Sequence, residues 1–142
     1  IIGDGPELER LKFATYQLGL EDNINFKGYI EHASIREYYQ NSDIYLQYSI
    51  QEGFCNSLLE AQSMGLICIA SDADGLSENI LDHKTGYIVE KRDPFGLYQK
   101  IDFVLNQNKN DLNKIRKNGR DRIVNKFNIE LQAQYFNLFF QK

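Results

Sequence analysis

Cysteine is scarce in this chain, with only Cys55 and Cys68. Two cannot build a disulfide framework. Both stand in apolar surroundings, which points to a reducing compartment and plain packing. Neither histidine lies near Cys55 in sequence, so no thiol nucleophile with its base is in view. His32 and His83 fall in apparent loops, where surface positions are expected. No metal-ligand spacing occurs, and no metal is expected. Positive charge is also short: 16 Lys and Arg against 20 Asp and Glu give a net charge of −4, with no basic run. That argues against a nucleic-acid surface but leaves room for a local anion site. No apolar run nears the ~18 residues of a membrane span, and no signal peptide is visible. Repeats, linkers and low-complexity segments are lacking too.

What is present reads as one α/β domain over residues 1–142. The length supports a real core, and 42% hydrophobic with 25% charged residues is ordinary for a globular chain. The chain opens "IIGDGP", without an initiator Met and inside an apparent strand, as a piece of something longer would. Ile1-Ile2 runs into the turn Gly3-Asp4-Gly5-Pro6. Pro6 suits a first helical position, Leu8, Leu11, Ala14 and Leu18 recur at helical spacing, and Gly19 closes the helix. Ile24 to Phe26 reads as a strand and Ser34 to Asn41 as a helix with Ile35, Tyr38 and Tyr39 inward. Asp43 to Gln47 is a strand, Ser57 to Met64 a helix stopped by Gly65, and Leu66 to Ala70 the clearest buried strand. A short helix at Leu76 to Leu81 precedes a last strand, Tyr87 to Val89. From Pro94 the pattern is helical, with a break expected near Asn118-Gly119 in the second helix and a third helix in "IELQAQYFNLFFQK". Strand-helix alternation through residue 89 argues a parallel sheet with helices on both faces. Ligands of such sheets bind outside the carboxyl ends of the strands. That singles out the loops Gly3 to Pro6, Lys27 to Glu31, Tyr48 to Ser57 and Ser71 to Leu76.

The loop "QEGFCNSLLE", residues 51–60, carries two carboxylates. One reading is structural: Ser57 caps the helix, Glu60 returns to the Ser57 amide, Gly53 serves the backbone, and Glu52 is solvated. The other is chemical. A helix starting at Asn56 or Ser57 offers unpaired amides and a positive dipole end to a phosphate. Gly53 lets a ligand approach the backbone. Glu60, a turn in, could accept from a diol such as ribose, while Glu52 binds hydroxyls beyond the phosphates. The two acids would then hold opposite ends of one ligand, and a nucleotide-sugar has that order of parts.

At these residues the sequence resembles a known family. Glu52, seven residues and Glu60 match the paired-glutamate motif of the family 4 retaining glycosyltransferases. "IIGDGPELERLKFATYQLGLEDNINFKGYI", "YYQNSDIYLQYSIQEGFCNSLLEAQSMGLICIASDADGLSENI" and "DHKTGYIVEKRDP" resemble successive segments of it, in order. The resemblance implies the C-terminal, donor-binding half of a two-domain B-type enzyme with Rossmann-like domains facing across a cleft. Glu60 would bind ribose hydroxyls, and Glu52 the transferred sugar as the catalytic acid residue. Amides around Phe54, Cys55, Asn56, Ser57 and Leu58 would face the diphosphate or sugar. Gly3 and Gly5 would line the cleft, Tyr29 and Ile30 would lie near the base through their backbones, and Asp74-Gly75 with Glu78 match a second glycine-acid segment. The chain departs from the pattern at Cys55, at Tyr48-Ser49 where Pro-Ser is common, at Ile67 and at Asp74. Cys55 and Asp74 would narrow the pocket or change sugar preference, and Asp74 adds negative charge near the diphosphate.

The implied reaction is retaining transfer of a hexosyl group to a glycan or lipid-linked acceptor in polysaccharide biosynthesis. It uses a nucleotide-sugar as substrate and needs no cofactor. The family's first strand of this domain, with its basic pair, and its N-terminal domain fall outside the sequence, so the chain alone is not expected to catalyse transfer. That strand would lie between Ile1 and Asp43 in the sheet. The expectation is that the flanking strands close up, a neighbour fills the gap, or the chain extends upstream. Tyr135, Phe136, Leu138, Phe139 and Phe140 cover more of the last helix than one buried face needs. A contact there with the N-terminal domain or a second copy is one expectation, packing on this domain the other. The implied location is cytoplasmic, with any membrane contact peripheral on the inner face. Two alternatives stand beside this reading: a flavodoxin-like, non-catalytic receiver module, whose acid cluster and late Lys are not reproduced by Asp72 and Lys84, and half of a sugar-nucleotide epimerase.

Overall fold

The structure is a computed structural model and describes residues 1–140. Its internal contacts divide the chain into two compact units, residues 1–40 and 41–142.

The first unit holds helices α1 (Leu8–Gln17) and α2 (His32–Gln40). Its two expected strands form a short pairing. The Ile1 amine donates to Asn25 O at 2.7 Å, Lys27 N to Ile1 O at 2.9 Å and Gly3 N to Gly28 O at 2.8 Å. All three bonds advance in the same direction along both segments, as in a parallel ladder. The segments are too short to make regular strands. Pro6 lies in the turn before α1, whose cap is Glu7, rather than at the first helical position. Gly19 ends α1 as expected, at φ +64°, with Leu20 N returning to Thr15 O. His32 opens α2 instead of sitting in a loop; the helix starts two residues earlier than its apolar spacing suggests.

The second unit is a three-stranded parallel sheet with helices. Strands β1 (Ile44–Gln47), β2 (Ile67–Ser71) and β3 (Tyr87–Val89) lie in that order. Helix α3 (Asn56–Ser63) connects β1 to β2. The short α4 (Leu76–Asn79) precedes β3, and α5 (Pro94–Leu105), α6 (Lys109–Lys126) and α7 (Ile129–Phe140) follow. The central β2 is buried at every position, which its run of Ile, Cys and Ala requires of a strand covered on both faces. Alternation sends Ile67 and Ile69 to one face. There they pack with Tyr87 and Val89 of β3, Val104 of α5 and Ile115 of α6. Cys68 and Ala70 point to the other face.

The C-terminal helices follow from local chemistry. Asp93 caps α5 by accepting from Gly96 N at 2.9 Å, with Pro94 in the first turn. Asn108 caps α6 by accepting from Asp111 N at 3.0 Å. The break expected at Asn118-Gly119 does not occur, and α6 is continuous. Gly119 is buried there, and a Cβ on it would lie 3.3 Å from Thr85 O and 3.6 Å from Gln62 Oε1. The glycine serves close packing of α6, and that packing outweighs its poor helix propensity. No residue of α7 is buried, with Tyr135, Phe136, Leu138, Phe139 and Phe140 at 61–74% exposure. Residues 141–142 of the expected last helix lie outside the described residues. Among the described residues, no helix is long and apolar enough to cross a membrane.

Candidate functional site

The loop after β1 and the loop after β2 meet at the carboxyl ends of the strands. Ser71 Oγ donates to Ser49 O at 2.6 Å and accepts from Ser49 N at 2.9 Å, so the two strand ends are tied both ways. Gly75, at φ +84°, carries its backbone directly under Gly53: a Cβ there would collide with the Gly53 carbonyl oxygen. Asn79, fully buried at the end of α4, donates through Nδ2 to Cys55 O at 3.4 Å. From the far side Phe54 meets Phe127 at 5.7 Å between ring centroids, and Arg122 stacks on Phe127 at 4.9 Å. The segment 49–55 is thus held by four separate parts of the chain.

On this clamp sits Glu52, half-buried. Its Oε2 accepts from Gln47 Nε2 and from Ser49 Oγ, each at 3.3 Å. Gln47 Nε2 also donates to Ser49 Oγ at 3.0 Å. The Tyr45 hydroxyl lies 2.7 Å from Gln47 Oε1 and 2.9 Å from Ser57 Oγ. Ser57 Oγ is also 3.2 Å from Cys55 Sγ. Burial pushes the Tyr45 hydroxyl up to about 12, and the nearby negative charge of Glu60 acts in the same direction. Burial likewise raises Cys68, which makes it an inert packing thiol. Tyr45 therefore links Gln47, and through it Glu52, to Ser57 at the start of the helix.

The helix that follows begins two residues earlier than its capping pattern suggests. Cys55 is the cap, with extended backbone and no side-chain cap bond, and Leu59 N makes the first return bond, to Cys55 O at 3.4 Å. Ser57 is the second helical residue, not the cap. Its hydroxyl faces Tyr45 and Cys55 instead, so a capping box built on Ser57 does not form. Among the described residues no acceptor bonds the amides of Asn56 or Leu58, which point out of the helix start. Gly53 is exposed, and a Cβ on it would meet nothing within 4 Å.

The structure thus brings together Glu52, Gly53, Phe54, Cys55, Asn56, Ser57, Leu58, Glu60 and Gly75 within the second unit. Leu58 is fully buried, backbone included, so of the Asn56 and Leu58 amides only that of Asn56 belongs to an exposed residue. Asp74 and Glu78 are exposed on the neighbouring loop and on α4. Gly3, Gly5, Tyr29 and Ile30 belong to the first unit. A Cβ on Gly3 or Gly5 would meet nothing, Tyr29 is 70% exposed, and Ile30 is half-buried. Among the described residues no group of three or more His, Cys, Asp or Glu could hold a metal ion. Sequence reasoning passed over Tyr45, Gln47, Ser71 and Asn79. A signal for the first two was present: in Asp43-Ile44-Tyr45-Leu46-Gln47 both polar side chains fall on one face of a strand otherwise built of Ile and Leu.

A parallel α/β domain with a loop acid and an open helix start at its strand ends is of the doubly wound class, in which ligands bind outside the carboxyl ends of the strands. The chain belongs to the glycosyl transferases group 1 family, whose model matches residues 1–122. It is 32% identical over 131 residues to a UDP-Gal:alpha-D-GlcNAc-diphosphoundecaprenol alpha-1,3-galactosyltransferase of Escherichia coli, covering 91% of this chain and 33% of that protein. Among solved structures it is similar to the C-terminal domain of the group 1 glycosyl transferase LpcC of Francisella tularensis, with TM-score 0.76 and 31% identity over 86% of this chain and 63% of that one. It also shares its fold with Anabaena Alr3699/HepE, solved in complex with UDP, at TM-score 0.90 and 20% identity over 99% of this chain and 39% of that one. The chain spans between 20% and 36% of the length of the curated relatives it matches. This membership, rather than the sheet alone, separates the chain from a receiver-like module.

Proposed function

We propose that this chain is the nucleotide-sugar donor-binding half of a retaining glycosyltransferase that acts on a glycan or lipid-linked acceptor in polysaccharide biosynthesis. The observation that carries the proposal is the fixed carboxylate of Glu52 beside a helix start whose exposed Asn56 takes no protein acceptor at its amide, within a chain of this family. Glu60 holds the ribose hydroxyls and Glu52 the hydroxyls of the transferred sugar. The diphosphate lies over the start of α3, where amide N–H groups and the helix dipole stabilise the charge that develops as the nucleotide leaves. Gly53 leaves room for that approach. The acceptor attacks from the leaving-group side, which gives retention, and no metal enters the reaction. The other half of the enzyme supplies the acceptor site, and the protein works at the inner face of the membrane or in the cytoplasm beside it.

The test uses the full-length protein that carries this chain, titrated calorimetrically with UDP, GDP, ADP and their sugars. Glu60→Ala is expected to weaken nucleotide binding by about tenfold, the scale of a lost hydrogen bond to a charged group. Glu52→Ala is expected to spare the bare nucleotide and to abolish transfer. Equal loss of nucleotide affinity from both variants, or no nucleotide binding by the parent, overturns the assignment.

A further inference from the structure

Gln47 spends both ends of its amide inside the site. Its Oε1 lies 2.7 Å from the Tyr45 hydroxyl, while its Nε2 donates to Ser49 Oγ at 3.0 Å and to Glu52 Oε2 at 3.3 Å. An amide oxygen only accepts and an amide nitrogen only donates, so the group works in one of its two flipped orientations. Tyr45 decides which. Its hydroxyl, protonated at physiological pH like any tyrosine, donates to Oε1 at 2.7 Å and turns Nε2 towards the carboxylate. The Ser57 hydroxyl, at the start of α3, meets Tyr45 from behind at 2.9 Å. The line therefore runs from the helix start, through β1, to the loop acid. Among the described residues nothing bonds Glu52 Oε1, so the two oxygens of that carboxylate are unlike.

We infer that Gln47 is a positioning residue for Glu52. With Tyr45 and Ser57 behind it, its amide pins Oε2 and presents Oε1 to the hydroxyls of the transferred sugar. The inference rests on the reading of Glu52 as the sugar-facing acid and names what aims it. A hydrophobic side chain at position 47 would complete the strand equally well, so strand formation does not explain the glutamine.

The experiment uses the full-length protein and compares the dissociation constants of UDP with UDP-glucose, and of GDP with GDP-mannose, by calorimetry. The ratio within a pair reports the grip on the sugar alone. Gln47→Leu is expected to shift that ratio by about tenfold against the sugar while leaving the nucleotide within about twofold. Glu52→Gln is expected to do the same. The double variant should lose no more than Glu52→Gln alone, because Gln47 acts through Glu52. Gln47→Glu supplies a donor only when protonated. The Glu52 carboxylate beside it favours that protonated form, so the sugar grip should be weak at high pH and return as the pH falls. Thermal melts check folding. If Gln47→Leu does not fold, Tyr45→Phe removes the group that orients the amide and is expected to lower the ratio in the same direction. A wild-type ratio in the position-47 and Tyr45 variants beside a changed one in Glu52→Gln overturns the inference and spares the reading of Glu52. So does an additive double variant or a pH-independent Gln47→Glu. A wild-type ratio in Glu52→Gln overturns both.

Discussion

Replacing Gly75 with alanine tests whether the loop bearing Glu52 is held by backbone contact. A Cβ at this position collides with the Gly53 carbonyl oxygen and would stand 2.7 Å from its carbon and 3.0 Å from Glu52 O. Neither neighbour is the end of a flexible side chain. Reaching the ~3.5 Å of an ordinary contact with that oxygen moves the loop by roughly 1.5 Å. The residue also sits at φ +84°, where a side chain adds roughly 1–2 kcal/mol of strain. With roughly 1–3 kcal/mol for the overpacking, Gly75→Ala should lose about 2–5 kcal/mol of stability. A displacement of about an ångström at a reacting group also costs about 10²-fold in rate. The control is Gly86→Ala, whose Cβ would lie 2.6 Å from Cys68 O and 3.2 Å from Ile80 Cδ1, away from this loop. Both variants of the full-length protein are melted and assayed for donor-sugar transfer. Gly75→Ala should lose far more transfer than Gly86→Ala at comparable melting temperature. Equal transfer by the two, or a Gly75→Ala crystal structure with Glu52 still bonded to Gln47, would show that the contact does not position the acid.

Helix α6 offers a second test, because Gly119 trades helix propensity for close approach. Gly119→Ala gains ~1 kcal/mol of propensity and loses a similar amount against Thr85 O at 3.3 Å, so urea denaturation should find it near neutral. Gly119→Leu should lose more than ~2 kcal/mol; a neutral Gly119→Leu would mean that the helices do not pack as described. Tyr45 offers a test in pH. Its folded pKa of about 12 lies above the ordinary tyrosine value of 10.0, so above pH 10 the unfolded chain releases a proton that the folded one keeps. Its contribution to stability is complete below pH 10 and is lost as pH rises towards 12. Tyr45→Phe should flatten that part of the decline in denaturation between pH 9 and 11.5, and an unchanged slope would place the hydroxyl in water. Arg122 donates to Asn79 O at 2.9 Å and to Glu78 O at 2.6 Å and stacks on Phe127, so Lys is no substitute for its planar fork. Arg122→Lys should destabilise by roughly 1–2 kcal/mol and speed amide exchange in 51–55, through Phe54. Unaltered exchange there would disconnect α6 from the loop.

The parts of the fold that sequence made legible are those where one physical demand acts alone. Leu66 to Ala70 is apolar throughout, and only a strand covered on both faces accepts that run, so β2 was found within one residue. Tyr87 to Val89 and the helix from Pro94 were found on the same basis. Where two demands compete, local pattern misleads. Ser57 and Glu60 have capping-box spacing, but the serine hydroxyl answers a tyrosine twelve residues upstream, and the cap falls to Cys55. Gly119 reads as a helix breaker, yet α6 needs its missing side chain more than it needs propensity. Ile1-Ile2 and Ile24 to Phe26 are strand-like in composition but pair over too few residues to be strands.

The candidate site divides along the same line. Glu52, Gly53 and Glu60 stand out because a loop acid, a glycine and a helix acid at short spacing form a local arrangement. The groups that aim them are contributed by tertiary structure: Gln47 and Tyr45 from the preceding strand, Gly75 and Asn79 from the next loop, Phe127 from the end of α6. None shares a short motif with Glu52, and each is chemically unremarkable until the parallel sheet sets its strand ends side by side. The order of causes therefore runs from sheet to clamp to acid. The register of β1 on β2, Tyr45 beside Cys68 and Gln47 beside Ala70, sets the height at which Ser71 reaches Ser49. A one-residue slip would send Tyr45 and Gln47 to the opposite face and leave the same paired-glutamate motif with nothing to aim it.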